Sequence, residues 1–192
     1  MKTPLILLAA VASALIAVAT VSYVITGQPL SLSDRPNPAA LTTPTATVPV
    51  AINSLVLPDI LGVNQPMSQW RGKILVVNFW ATWCPPCREE MPGFSRIAVK
   101  YASNGVQFVG ISIDTLNNVI DFQKSAPVSY PLLIGTMDIV QSTVSIGNTA
   151  QALPFTAIFD RSGNLHSVKL GRLSEADLEK RLHVLGADPK VE

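Results

Sequence analysis

The sequence predicts an α/β protein: a mixed central sheet flanked by helices, preceded by one N-terminal transmembrane helix. Three observations carry that expectation. An uncharged apolar run lies near the N-terminus, a strand-length apolar run spans Ile74-Leu75-Val76-Val77-Asn78-Phe79-Trp80, and strand-like segments alternate with helix-like ones from about Asn53 onward. Alternation of that kind implies a sheet covered by helices.

The first element follows Lys2. From Leu5 to Ile25 there is no charge, and at ~1.5 Å rise per residue the run is long enough to cross a ~30 Å hydrocarbon core. A cleaved signal peptide is the rival reading, because Leu5 to Ala17 resembles an apolar h-region and Ala17-Val18-Ala19 a small-residue cleavage site. Length favours an uncleaved anchor. Lys2 precedes the run and the next basic residue is Arg35, which predicts a cytoplasmic N-terminus and an extracytoplasmic remainder. Residues 1–27 are thus read as anchor or uncleaved signal. Residues 28–52 hold Pro29, Pro36, Pro38, Pro44 and Pro49 among Ser, Thr and Ala, a composition too poor in large apolar groups for a core, so they read as a linker. No cysteine lies in or just after the run, which excludes a lipid-modified cysteine near the anchor.

Residues 53–192 are read as one folded domain. Ile74 to Trp80 is nearly continuous in apolar residues, as expected for a strand buried on both faces. Met91, Phe94, Ile97, Ala98 and Tyr101 recur at spacings of three and four, placing a helix directly after it. Val106 to Ile113 reads as a strand and Leu116 to Lys124 as a helix; a short strand near Leu132 to Ile134 and a short helix follow. Phe155 to Phe159 and Leu165 to Leu170 flank Arg161-Ser162-Gly163-Asn164, a hairpin signal. The last helix starts at Ser174, a good N-cap, with Leu178, Leu182 and Leu185 at helical spacing.

Across 192 residues, 48% are apolar, enough for one good core. Net charge is +1 and charged residues make up 14%, which leaves no electrostatic footprint for nucleic acid.

Cys84 and Cys87 are the only cysteines, so any intramolecular disulfide joins them. A ring this small is a poor structural staple, since stabilisation grows with the length of the loop closed. Position points to chemistry: a buried strand delivers Cys84 to the start of a helix, where unpaired N–H groups and the helix dipole favour a thiolate. Cys-X-X-Cys pairs in that setting exchange with other disulfides through a mixed disulfide. Cys84 is the expected attacker, and Cys87, one turn later, the resolving thiol. Pro85 and Pro86 occupy positions where a missing N–H costs little and stiffen the ring. The competing reading is half of a zinc or copper site, but His166 and His183 are the only histidines and no second Cys-X-X-Cys completes a ligand set.

The run Asn78-Phe79-Trp80-Ala81-Thr82-Trp83-Cys84-Pro85-Pro86-Cys87-Arg88-Glu89-Glu90-Met91-Pro92 closely resembles the membrane-anchored thioredoxin-like proteins of the TlpA and ResA type. The likeness extends more loosely from Gly72-Lys73 to the final helix. It implies a thioredoxin-like fold with a helix-strand insertion, here within Thr115 to Ile134, and a cis-proline facing the cysteines, matched by Pro154 in Leu153-Pro154-Phe155-Thr156. The backbone of Leu153 would then pair with an extended client. Trp83, Pro85, Leu153 and Pro154 are the candidate client-binding residues. Pro92 matches a kink proline. The buried Asp of thioredoxins is replaced by Asn78, which cannot exchange protons. Glu90 matches a site glutamate of the ResA-like branch and is the candidate proton acceptor for Cys87, although a glutamate early in a helix can equally be a solvated residue. Arg88 is a candidate for lowering the thiolate pKa, or a solvated arginine.

The activity so implied is thiol-disulfide exchange without a cofactor beyond the Cys84-Cys87 redox-active disulfide and without a metal. Its expected direction is reduction of exported proteins with cysteine pairs, apocytochrome c being the family's best-known client, with a membrane-embedded electron donor restoring the pair. The alternatives are a copper-site assembly factor and a peroxidase. Copper chaperones of this fold use three residues between the cysteines, against two here. A peroxidase would need Thr or Ser three residues before the reactive cysteine and a proline further upstream, where Ala81 and Val77 stand.

Overall fold

The structure, a computed structural model, describes residues 52–188. The expected anchor and all but the last residue of the expected linker lie outside the described residues. Among the described residues no helix is long and apolar enough to cross a membrane. Ile52, assigned by the sequence to the end of the linker, packs in the core, so the folded part begins no later than that residue.

A 3-10 turn at Ile52–Ser54 leads into a small antiparallel pair, β1 (Val56–Pro58) and β2 (Asn64–Pro66). The Asp59 carboxylate shapes the turn between them, accepting from the N–H groups of Leu61 and Val63 at 2.8 and 3.0 Å. A second 3-10 turn, Met67–Trp70, buries Met67 and Trp70.

β3 (Ile74–Trp80) is buried along its whole length. Successive side chains on a strand point to opposite faces. Ile74, Val76 and Trp80 therefore join one core layer, and Leu75, Val77 and Phe79 the other. Asn78 falls on the first of these faces.

Helix α1 (Pro85–Tyr101) follows, then β4 (Val106–Ser112), α2 (Leu116–Ser125), β5 (Leu132–Ile134), α3 (Met137–Ser142), β6 (Phe155–Phe159), β7 (Leu165–Leu170) and α4 (Glu175–Val184). The sheet order is β5-β4-β3-β6-β7. β3, β4 and β5 run parallel, and β6 and β7 antiparallel to their neighbours. This is a thioredoxin-like α/β fold with a mixed sheet, and α2 with β5 forms the helix-strand insertion.

The first core layer contains Met91, Phe94, Ile97 and Tyr101 of α1, Val119 and Phe122 of α2, and Leu178 and Leu182 of α4. Those residues recur at three and four along each helix, the pattern of a single apolar stripe. The opposite layer is closed by Ile52, Met67, Trp70 and Ile146, with Ile139 of α3 packed against it. Ser174 caps α4 by accepting from the Asp177 N–H at 3.2 Å, and Thr115 caps α2 from Asn118 at 3.3 Å.

Candidate active site

The site is built where β3 ends. Ala81 is fully buried and its carbonyl accepts from the Cys84 N–H at 3.2 Å, which turns the chain into α1. Cys84 is the N-cap of that helix, in extended backbone, and Pro85 and Pro86 fill the first two helical positions. Neither proline has an N–H. The Arg88 N–H is bonded to the Cys84 carbonyl at 3.2 Å. The first backbone amide available to a sulfur at position 84 is therefore that of Cys87. Cys84 and Cys87 are joined as a disulfide, with their Cα atoms 5.3 Å apart. Cys84 retains slight exposure while Cys87 has none, so an incoming sulfur reaches Cys84 and not Cys87.

A tie to the insertion steadies the approach to the cysteines. The Thr82 hydroxyl donates to Asp114, whose other carboxylate oxygen accepts from the Thr115 N–H and the Asn118 amide, each at 2.7 Å. Burial pushes the Asp114 carboxyl upward, but the bonds from Thr82, Asn118 and Thr115 outweigh it and hold the group below its ordinary value.

A cleft of about 420 Å³ opens beside Cys84. It is lined by Trp83, Pro85 and Pro86 at the start of α1, by Ile113 and Met137, and by the segment Gln151 to Leu153. Trp83 is 65% exposed, whereas Trp80 is fully buried in the core. The Leu153–Pro154 peptide bond is cis. Pro154 is buried and its carbonyl accepts from the Gly171 N–H at 2.8 Å, while the N–H and C=O of Leu153 bond to no other described residue.

Glu90 lies one helical turn beyond Cys87, on the buried side of α1, and only 3% of its surface is exposed. Oε1 accepts from the Asn78 side-chain amide and Oε2 from the Leu173 backbone N–H, both at 2.8 Å. Burial drives its pKa up to about 7, against the opposing pull of the Leu173 and Asn78 hydrogen bonds and the Arg172 charge. The reading of Glu90 as a solvated residue is thereby corrected: Asn78 sits on the α1-facing side of β3 and draws the carboxyl inward. A carboxyl that ionises near neutrality beside a cysteine pair is suited to accept and return a proton. Asn78 also donates to the Thr156 hydroxyl at 3.2 Å, and its side-chain oxygen Oδ1 has no partner among the described residues. Burial and the Glu90 charge push the Tyr130 hydroxyl upward.

Arg88 is exposed and Pro92 lies inside α1 on an exposed position. His183 is engaged by Asp188 at 2.7 Å and by the Tyr101 hydroxyl at 3.3 Å, and His166 is exposed on β7. Among the described residues, no group of three or more His, Cys, Asp or Glu is placed to hold a metal ion. Ile113, Met137 and Gln151 carried no site role in the sequence reading, and neither did the Leu173 amide, which reaches Glu90 from 83 residues away. No local pattern marks such a partner.

Residues 50–168 match the AhpC/TSA family. A thiol-disulfide oxidoreductase ResA from Geobacillus kaustophilus is 30% identical over 128 residues, covering 66% of this chain and 71% of that protein. Among solved structures, a thiol:disulfide interchange protein of the thioredoxin family from Chlorobium tepidum is 30% identical with a TM-score of 0.63, covering 69% of this chain and 93% of that one. A thioredoxin-related protein from Neisseria meningitidis is 30% identical with a TM-score of 0.60, covering 69% and 99%.

Proposed function

Because this chain belongs to the AhpC/TSA family, in its TlpA/ResA-type thioredoxin-like branch, and is a thiol-disulfide oxidoreductase, we propose that it reduces disulfides of exported proteins while tethered to a membrane. The observation that carries this reading is the stacking of the site. Cys84 opens onto an apolar cleft lined also by Leu153, whose backbone is unpaired among the described residues, Cys87 is sealed from solvent, and Glu90 lies a turn further along the same helix.

The reaction follows from that order. The Cys84 thiolate, favoured by the helix N-terminus and the Cys87 amide, attacks one sulfur of the client disulfide. The client S–S bond breaks, a Cys84–client mixed disulfide forms, and the departing client sulfur takes a proton. Trp83 and Met137 of the cleft lining offer apolar contact, and the Leu153 N–H and C=O offer a strand-like pair of hydrogen bonds. The Cys87 thiol then loses its proton to the Glu90 carboxylate and attacks the sulfur of Cys84. The second client thiol leaves, and the Cys84–Cys87 disulfide of this structure is the product. Two electrons have passed to the client.

The finer assignment is a single-pass cell-membrane protein with a cytoplasmic N-terminus and an extracytoplasmic catalytic domain. A membrane-embedded donor restores the dithiol, and the client is apocytochrome c, whose haem-attachment cysteines must be reduced. Support comes from the uncharged run Leu5 to Ile25 and the Pro-rich linker after it. The test is deletion of the gene in its own host, scored by covalent haem in c-type cytochromes. Loss that the wild-type chain restores and Cys84→Ser does not supports the reading. Normal haem attachment in the deletion strain contradicts the cytochrome assignment.

A further inference from the structure

One part of the cleft lining, Gln151 to Leu153, is an irregular segment, and the structure shows what holds it. Asn148 is completely buried. Its Oδ1 accepts from the Ala152 N–H at 3.0 Å, and its Nδ2 donates to the Ala152 carbonyl at 3.1 Å. One amide side chain thus pairs with both polar groups of one residue, as a neighbouring strand would. The Asn148 backbone takes part as well: its carbonyl accepts from the Gln151 N–H at 2.9 Å, and its own N–H donates to Thr143 at 3.0 Å. Thr143, also buried, donates its hydroxyl to the Val140 carbonyl of α3 at 2.5 Å. The cleft wall is in this way fastened to the helix that supplies Met137.

Gln151 has a φ of 50°, the only positive value among the described residues other than glycine. A side-chain-bearing residue keeps that left-handed conformation only where its surroundings impose it. The three bonds from Asn148 bracket Gln151 on both sides. They fix the direction in which the chain leaves for Leu153, whose N–H and C=O bond to no other described residue and which lines the cleft.

We propose that Asn148 is a positioning residue for client binding: its amide clamps Ala152 and so presents the Gln151 to Leu153 edge to an extended client segment disulfide-linked to Cys84. The inference rests on the protein-disulfide reading above. Asn148 touches neither sulfur nor Glu90 by any hydrogen bond, so its effect falls on client affinity and not on the exchange chemistry.

The test uses the full-length chain in detergent, wild type beside Asn148→Asp and Asn148→Ala. Asn148→Asp keeps the size and the acceptor for the Ala152 N–H but sets an oxygen against the Ala152 carbonyl. Dithiothreitol-driven reduction of insulin is compared with reduction of a small aromatic disulfide, alongside the Cys84–Cys87 potential. The expected result is a rise in KM for insulin of about five- to tenfold. Its kcat, the small-disulfide rate and the potential stay within about twofold or unchanged. Should Asn148→Ala lose the small-disulfide rate through misfolding, Asn148→Asp decides. A wild-type KM in Asn148→Asp, or equal losses on both substrates, overturns the positioning role. A wild type that reduces the small disulfide but not insulin removes the protein-client reading itself, and the inference with it.

Discussion

The Asn78 side-chain amide donates to Oε1 of Glu90 at 2.8 Å, which joins the central strand to the cysteine-bearing helix through a buried carboxyl. The consequence is a pH dependence of stability with a definite sign. Burial lifts the Glu90 pKa from 4.5 to about 7, so the folded chain holds this proton more tightly than the unfolded one. Its contribution is fully present below about pH 4.5, declines as pH rises toward about 7 and is lost above that; a shift of this size corresponds to about 3 kcal/mol. Urea unfolding of the disulfide form between those pH values should show the decline, and Glu90→Gln should flatten it.

The same carboxyl should govern release of the client. Removing Glu90 as proton acceptor by Glu90→Gln is expected to slow decay of the Cys84 mixed disulfide by about 10²-fold at neutral pH. The limb of the pH profile near 7 should disappear with it. Rapid-mixing kinetics with a fluorescent client peptide measure both. A profile unchanged in Glu90→Gln would remove Glu90 from the reaction.

Burial divides the two sulfurs, since Cys84 keeps a little exposure and Cys87 none. Cys84→Ser is expected to abolish exchange. Cys87→Ser should arrest it at the mixed disulfide, visible as a client adduct by mass spectrometry that dithiothreitol reverses. An adduct forming on Cys87 in the Cys84→Ser variant at comparable rate would reverse the assignment.

Two tryptophans three residues apart should behave oppositely. Trp83 is 65% exposed on the cleft rim, and Trp80 is fully buried against Phe122 with ring centroids 4.8 Å apart. Trp83→Ala should leave stability within about 0.5 kcal/mol and raise the insulin KM. Trp80→Ala should cost about 3–5 kcal/mol. Denaturant unfolding and insulin kinetics on both variants distinguish rim from core.

The strand-helix alternation from Ile74 to Val184 was legible because each element bears its own periodicity. A continuous apolar run marks β3, and spacings of three and four mark α1 and α4. The β1–β2 pair was not legible. Its strands are three residues each, end in Pro58 and Pro66, and hold together through Asp59 and not through alternating apolar residues. At the site, the cysteines declared themselves by spacing and by the strand that precedes them. The burial of Glu90 did not, since it depends on Asn78 twelve residues before it and on a backbone amide at Leu173. Asn148 was equally silent: an Asn near Gly147 in a loop reads as turn chemistry, and only the fold shows its amide turned inward onto Ala152.

The central claim, that the Cys84–Cys87 pair works as a reductant of protein disulfides, is tested most directly by the reduction potential of the full-length chain. Equilibrating it against thiol buffers and following Trp83 fluorescence supplies the value. A reductant of protein disulfides requires a reversible couple at about −270 mV; a value of about −120 mV would make the protein an oxidant and contradict that role.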